Sequence, residues 1–356
     1  MSTPVSAALG VSPSRVGRLR AYFEFLAAVL YFFLARSMAH MAVLGLSRIS
    51  NDPWIPLLEQ AIFVFFLILG YGGLGLILDR ELHPISAQGL PRRAGRGTEF
   101  GLGLAIGWAI AVVCVLLLTL GGGIAISLSL KPAAWGWLVA DAGFFALAAL
   151  AEEVAFRGYG FQRFALAVGP TGAAFGFAAF YAVVQSQLRG STRISIAVSI
   201  VFSLLLSTAY LRTRALWLSW GLNFAWKASR ALLFGLAVSG VTNHSPVVQG
   251  DPMGPFWLTG GGFGLDGSWL TLVVLLVALP VVFRLTRELD YKYNAPVIVP
   301  GGMPVDLDAA ARSQHEAATR TAEPKPPALV QILPVTPAEP AASAHSASAV
   351  PTQPEQ

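Results

Sequence analysis

Eight long apolar runs separated by short polar connections constrain this chain more than any other feature. They cover about residues 21–46, 54–78, 101–120, 135–157, 168–186, 194–211, 216–234 and 268–287. Each is close to the roughly 20 residues that a helix needs to cross a hydrocarbon layer. The expected fold is therefore all-α, a polytopic membrane helix bundle of about eight transmembrane helices. Composition supports this reading, since 55% of the residues are hydrophobic and only 12% are charged. A soluble domain carries about 25% charged residues.

The formal charge of +5 raises the question of a nucleic-acid partner. The basic residues, however, sit mainly in short loops beside apolar runs, and no basic-aromatic stripe accompanies them. They read as orientation signals, and the expected partner is the lipid bilayer, with no nucleic acid. With eight spans, one side collects Arg15, Arg18, Arg20, Arg80, Arg92, Arg93, Arg96, Arg157, Arg163, Arg212, Arg214, Arg284, Arg287 and Lys292. The other collects Arg48, Lys131, Arg189, Arg193 and Arg230. The excess places both termini in the cytoplasm of a multi-pass cell-membrane protein. Arg92 and Arg93 read as surface anchors, and Trp217 and Trp220 as residues at interface depth. The single cysteine, Cys114, lies in an apolar run and reads as packing, so no disulfide framework arises.

Three segments follow from composition. Residues 1–18 are small and polar and are expected to form a disordered arm, 19–290 the transmembrane domain, and 291–356 a disordered Pro/Ala/Ser-rich tail. A long Gly- and Pro-containing stretch, 237–267, is expected to be a loop.

One short sequence stands out from the apolar background, Ala151-Glu152-Glu153-Val154-Ala155-Phe156-Arg157. A carboxylate costs several kcal/mol inside a bilayer, so two adjacent ones at the end of an apolar run demand partners or a function. On a helix Glu153 and Arg157 stand at i and i+4 and can pair. Glu152 is turned about 100° away and is left to face something else, on the face it shares with Asp141. The plainer reading is a solvated helix end with ordinary interfacial charges.

Glu152-Glu153-x-x-x-Arg157 followed by Gly158-Tyr159 resembles the first motif of the CAAX-protease and bacteriocin-processing family of intramembrane endopeptidases. The similarity extends through Ala209-Tyr210-Leu211-Arg212-Thr213, Leu216-Trp217-Leu218 and Gly221-Leu222-Asn223-Phe224-Ala225-Trp226. It reaches Phe234-Gly235-Leu236 and Trp257-Leu258-Thr259-Gly260-Gly261 and covers roughly residues 20–290. The resemblance implies peptide-bond hydrolysis by glutamate-activated water near the membrane surface. The partner it implies is a membrane-associated or prenylated peptide or protein. In such a site a glutamate acts as base, while histidines and an asparagine hold the water or the oxyanion. The family has been described both as metal-dependent, with zinc, and as glutamate-dependent.

The further motifs depart from the family pattern. The second falls on Tyr181-Ala182-Val183-Val184-Gln185, with Gln185 at the histidine position. In the third, Asn223 stands at the histidine position and Lys227 at the asparagine position. The implied site set is Glu152, Glu153, Arg157, Gln185, Asn223 and Lys227, of which Glu152, Gln185, Asn223 and Lys227 are expected to converge on one cavity towards the cytoplasmic half of the bundle, with Glu153 paired to Arg157. Amides donate and accept hydrogen bonds but neither shuttle protons near neutral pH nor bind zinc well. No bound cofactor is expected. Lys227 could neutralise Glu152. Two functions therefore stay open, an intramembrane endopeptidase and a catalytically inactive relative that binds a peptide, lipid or membrane partner in the same cavity. His40, His83 and His244 stand at no metal-binding spacing from one another, and His315 and His345 lie in the tail.

Overall fold

The computed structural model describes residues 15–47, 54–80, 83–241 and 247–293. Most of the expected arm and tail, with His244, His315 and His345, lies outside them. The long helices are α1 Arg15–Ser47, α2 Trp54–Asp79, α3 Arg96–Gly121, α4 Pro132–Arg157, α5 Tyr159–Val168, α6 Pro170–Ser186, α7 Arg193–Thr213, α8 Leu216–Ala228, α9 Trp269–Leu285 and α10 Arg287–Tyr293. Each of the eight apolar runs coincides with one of these helices.

Among the described residues, five helices are long and apolar enough to cross a membrane, over 16–45, 54–79, 96–121, 134–168 and 193–213. The three remaining apolar runs lie on shorter helices. Trp269–Leu285 has 17 residues, and so does α6, each about 25 Å long. The helix α8 has 13 residues and passes directly into a π-helical turn, Ser229–Leu233.

Local chemistry sets the ends that matter for the site. Pro132 opens α4 at a position where no backbone donor is needed. That helix stops at Gly158, where an added Cβ would lie 2.3 Å from the Val154 carbonyl oxygen. Pro170 likewise starts α6. Thr192 and Ser195 form a reciprocal capping box at the start of α7.

Two layers of charge bracket the apolar part of α2. At one end Asp79 accepts from Tyr159 at 2.9 Å and from Arg163 at 3.0 Å, and Glu24 pairs with Arg20 at 2.6 Å. At the other, Arg36 and His40 both approach Glu59 at 3.6 Å. Glu59 and Asp79 are twenty residues apart on one helix, about 30 Å, which matches a hydrocarbon layer.

The interior has two packed halves. One gathers Phe63, Leu67, Tyr71, Phe156, Phe177 and Tyr181. The other gathers Ile110, Leu118, Phe202, Leu222, Trp226 and Leu265. Within the second half α3 and α8 touch backbone to backbone. A Cβ on Gly103 would stand 2.2 Å from the Leu218 oxygen, one on Gly107 2.3 Å from the Leu222 oxygen, and one on Gly221 2.3 Å from the Phe100 oxygen. Small residues at such crossings let helices approach and pack by dispersion where lipid offers no hydrophobic drive.

The expected loop is more ordered than its composition suggested. Val248–Pro252 (β2) pairs antiparallel with Ile124–Leu128 (β1), Ile124 opposite Pro252 and Leu128 opposite Val248. A helical turn at Phe256–Thr259 and two 3₁₀ turns, Gly261–Phe263 and Leu265–Gly267, follow. Three other readings change. Arg93 is a clamp and not a surface anchor, with bonds to Glu99 at 3.1 and 2.7 Å and to the Thr213 carbonyl at 2.8 Å. Trp220 donates into α4, to the Ala146 carbonyl at 2.9 Å, and Trp217 donates to Pro91 at 3.0 Å.

Candidate active site

The seam between the two packed halves holds the site. From the first half, α4 contributes Glu152, Glu153 and Arg157, and α6 contributes Tyr181 and Gln185. From the second, α7 contributes Ser203, and α8 contributes Asn223 and Lys227. Asn223 and Lys227 are one turn apart on α8 and so present both side chains to α4.

Glu153 and Arg157 form the buried pair that their spacing predicts. Arg157 Nη1 donates to Glu153 Oε1 at 3.1 Å, and both side chains are shut away from the surface. Arg157 Nη2 also reaches the Ser203 hydroxyl and carbonyl, at 2.9 and 3.2 Å. This pair therefore ties α4 to α7, while Glu153 Oε2 and Arg157 Nε have no hydrogen-bond partner.

Glu152 is more open, its side chain about a quarter exposed. Its Oε1 is ion-paired with Lys227 Nζ. Its Oε2 accepts from Asn223 Nδ2 at 3.0 Å and from the Tyr181 hydroxyl at 3.4 Å. Asn223 Nδ2 also bonds Glu153 Oε1 at 3.0 Å, so one amide bridges the two carboxylates. Gln185 does not touch Glu152 directly. It donates to the Tyr181 hydroxyl at 2.9 Å, and the phenol relays that bond to the carboxylate.

The six residues singled out in the sequence thus stand in one connected network, with Tyr181 and Ser203 as members that charge patterning did not reveal. A tyrosine in an apolar run looks like core, and only its hydroxyl partners distinguish it.

Beside Lys227 a cleft of about 10 Å³, room for about one water, is lined by Tyr181, Gln185, Ser199, Arg230, Ser239 and Asp266 among others. Ser239 and Asp266 belong to the 234–268 segment. The cleft lies on the 234–268 side of the network, towards the end of the bundle opposite residues 15–20 and 287–293. The reason is that α8 runs on past Lys227 into its π turn, and the chain folds back over the site from there. Glu152 itself lies within the span, seven residues before Tyr159 at one charge layer and nine after Gly143. Gly143 packs near Leu57, close to the Glu59 layer, where an added Cβ would meet Leu57 at 3.2 Å.

A zinc ion does not fit this donor set. The groups around Glu152 are an ammonium, two amides and a phenol; the ammonium repels a cation and amides are weak zinc ligands. Among the described residues no group of three or more His, Cys, Asp or Glu side chains could hold a metal ion.

Residues 132–229 match a family model described as type II CAAX prenyl endopeptidase, Rce1-like. No curated protein and no solved structure matches the chain. The matched residues run from the start of α4 through α8 and contain every member of the Glu152 network named above. The chain is thus a multi-pass helical membrane protein whose residues 132–229 are similar to the type II CAAX prenyl endopeptidase family.

Proposed function

We propose that this protein keeps the glutamate cleft of its family for binding and not for hydrolysis, taking a membrane-associated peptide, a lipid or a membrane partner. The observation that carries the reading is the ion pair of Glu152 with Lys227. A general base must be free to take a proton from water. Here one carboxylate oxygen is held by an ammonium, and the other accepts from Asn223 and Tyr181. Gln185 and Asn223 hold hydrogen-bonded partners but cannot relay the proton onward as an imidazole can.

A second reading, glutamate-activated hydrolysis, is favoured by one feature, the water-sized space between Lys227 and Gln185. In that case Lys227 would stabilise an oxyanion. The variant that separates the two is Gln185→His, Asn223→His and Lys227→Asn combined, assayed on a membrane-tethered peptide library. The triple variant is expected to gain cleavage that Glu152→Ala removes, and no single change is expected to do so, since groups acting as a unit are non-additive. Full turnover from Lys227→Asn alone would show that amides suffice and would favour the second reading.

Arginine asymmetry supports a cell-membrane orientation with both termini cytoplasmic, which turns the cleft outward. Cysteines introduced by Ser127→Cys and Arg189→Cys should then react with an impermeant reagent on intact cells. Arg163→Cys and Arg284→Cys should react only after permeabilisation. Cys114 is buried and should stay silent. The reverse labelling pattern would invert the assignment.

A further inference from the structure

The wall of the cleft away from Glu152 has a construction of its own. Asp266 sits in the 3₁₀ turn Leu265–Gly267, and its Oδ1 is 2.7 Å from Arg230 Nη1. Its Oδ2 accepts from the backbone N–H of Ser239 at 3.1 Å and from the Ser239 hydroxyl at 3.0 Å. A guanidinium from one piece of chain, as an ion-pair partner, and two hydrogen-bond donors of Ser239 from another therefore meet on one carboxylate.

The cation is positioned independently of that carboxylate. Arg230 is fully buried, its guanidinium lies 3.9 Å from the centre of the Trp226 ring, and its Nε donates to the Trp226 carbonyl at 3.0 Å. Ser239 has a φ of 50°, the left-handed region that a residue with a side chain seldom adopts. Its N–H and its hydroxyl bond the same carboxylate oxygen. Strained residues of this kind concentrate at ligand clamps.

We propose that Arg230 and Ser239 form a carboxylate-binding subsite of the cleft, filled in this closed form by the chain's own Asp266. A ligand carboxylate entering from the 234–268 side exchanges with it. The chemical class is a carboxylate-bearing molecule, either a peptide chain end or an acidic side chain. The subsite shares the cleft of the proposed function but does not depend on whether Glu152 performs hydrolysis, and its test reads binding alone.

Asp266→Ala removes the carboxylate and leaves a space beside Arg230 that a small carboxylate can enter. The purified full-length variant is expected to melt below the wild type. Acetate should restore at least half of that loss with saturable dependence, while acetamide and sodium chloride at equal ionic strength should not. Adding Arg230→Gln should abolish the acetate response. Equal effects of acetate and acetamide, or no effect of acetate, would overturn the subsite. A second measurement leaves Asp266 in place and serves if Asp266→Ala does not fold. Ser199→Cys in a Cys114→Ser background puts a thiol on the cleft wall, and its labelling rate is followed. N-acetylglycine presents a chain-end carboxylate and N-acetylaspartic acid α-amide a side-chain one. Slowing by either, and not by N-acetylglycinamide, supports the subsite. Slowing by none, or by all alike, contradicts it.

Discussion

Arg157→Met is expected to be the most damaging single substitution in the bundle, lowering stability by about 3–5 kcal/mol, the usual cost of stranding one partner of a buried ion pair. Glu153 would be left buried without its cation, and the Ser203 contacts that tie α4 to α7 would be lost with it. Glu153→Gln with Arg157→Met should recover much of that loss, because the pair would be replaced by neutral groups of similar volume. Arg157→Lys should not recover it, since an ammonium cannot present two faces at once, one to Glu153 and one to Ser203. Thermal unfolding in detergent, with the wild type and the three variants side by side, decides this. A single Arg157→Met as stable as wild type would show that the pair is not the tie between these helices.

Gly221→Val is expected to have an effect of comparable size by a different route. Its new Cβ would fall 2.3 Å from the Phe100 oxygen, a backbone atom that cannot step aside. The helices α3 and α8 must then separate, which also withdraws Asn223 and Lys227 from Glu152. The expected result is a loss of about 2–4 kcal/mol, in the range of overpacking and broken close contacts. The labelling rate of a thiol at Ser199→Cys should rise as the cleft opens. Gly97→Val, on the same helix as Phe100 but with open space at its Cβ, should be nearly neutral. Equal tolerance at both positions would remove the close crossing from the account.

The parts of the fold that could be read from the residues are those set by local spacing. Apolar runs marked eight helices because a bilayer demands an unbroken apolar length, and Glu153 with Arg157 needed only the helical repeat. The β1–β2 ribbon was hidden because its pairing joins residues more than a hundred positions apart, and strands such as Val248–Pro252 carry Gly, Asp and Pro where propensity argues against a strand. Arg93 and Trp220 looked like interfacial residues because composition cannot show that a carbonyl or a carboxylate from another helix waits beside them. The direction of the cleft depended on how the 234–268 segment folds back, and no periodicity encodes that. In the site itself, Lys227 was visible as a foreign charge among apolar neighbours, whereas Tyr181 and the Arg230–Asp266 contact were not, since a tyrosine passes for core and the two charges lie far apart in sequence.

The central claim is that Lys227 holds Glu152 in an ion pair and keeps it from acting as a base. The most direct measurement is hydrolysis of a membrane-tethered peptide library by the purified wild-type protein beside its Glu152→Ala variant, in lipid bilayers. The account predicts no cleavage that depends on Glu152. Robust cleavage by the wild type that disappears in Glu152→Ala would contradict it and would establish an amide-and-lysine site as catalytic.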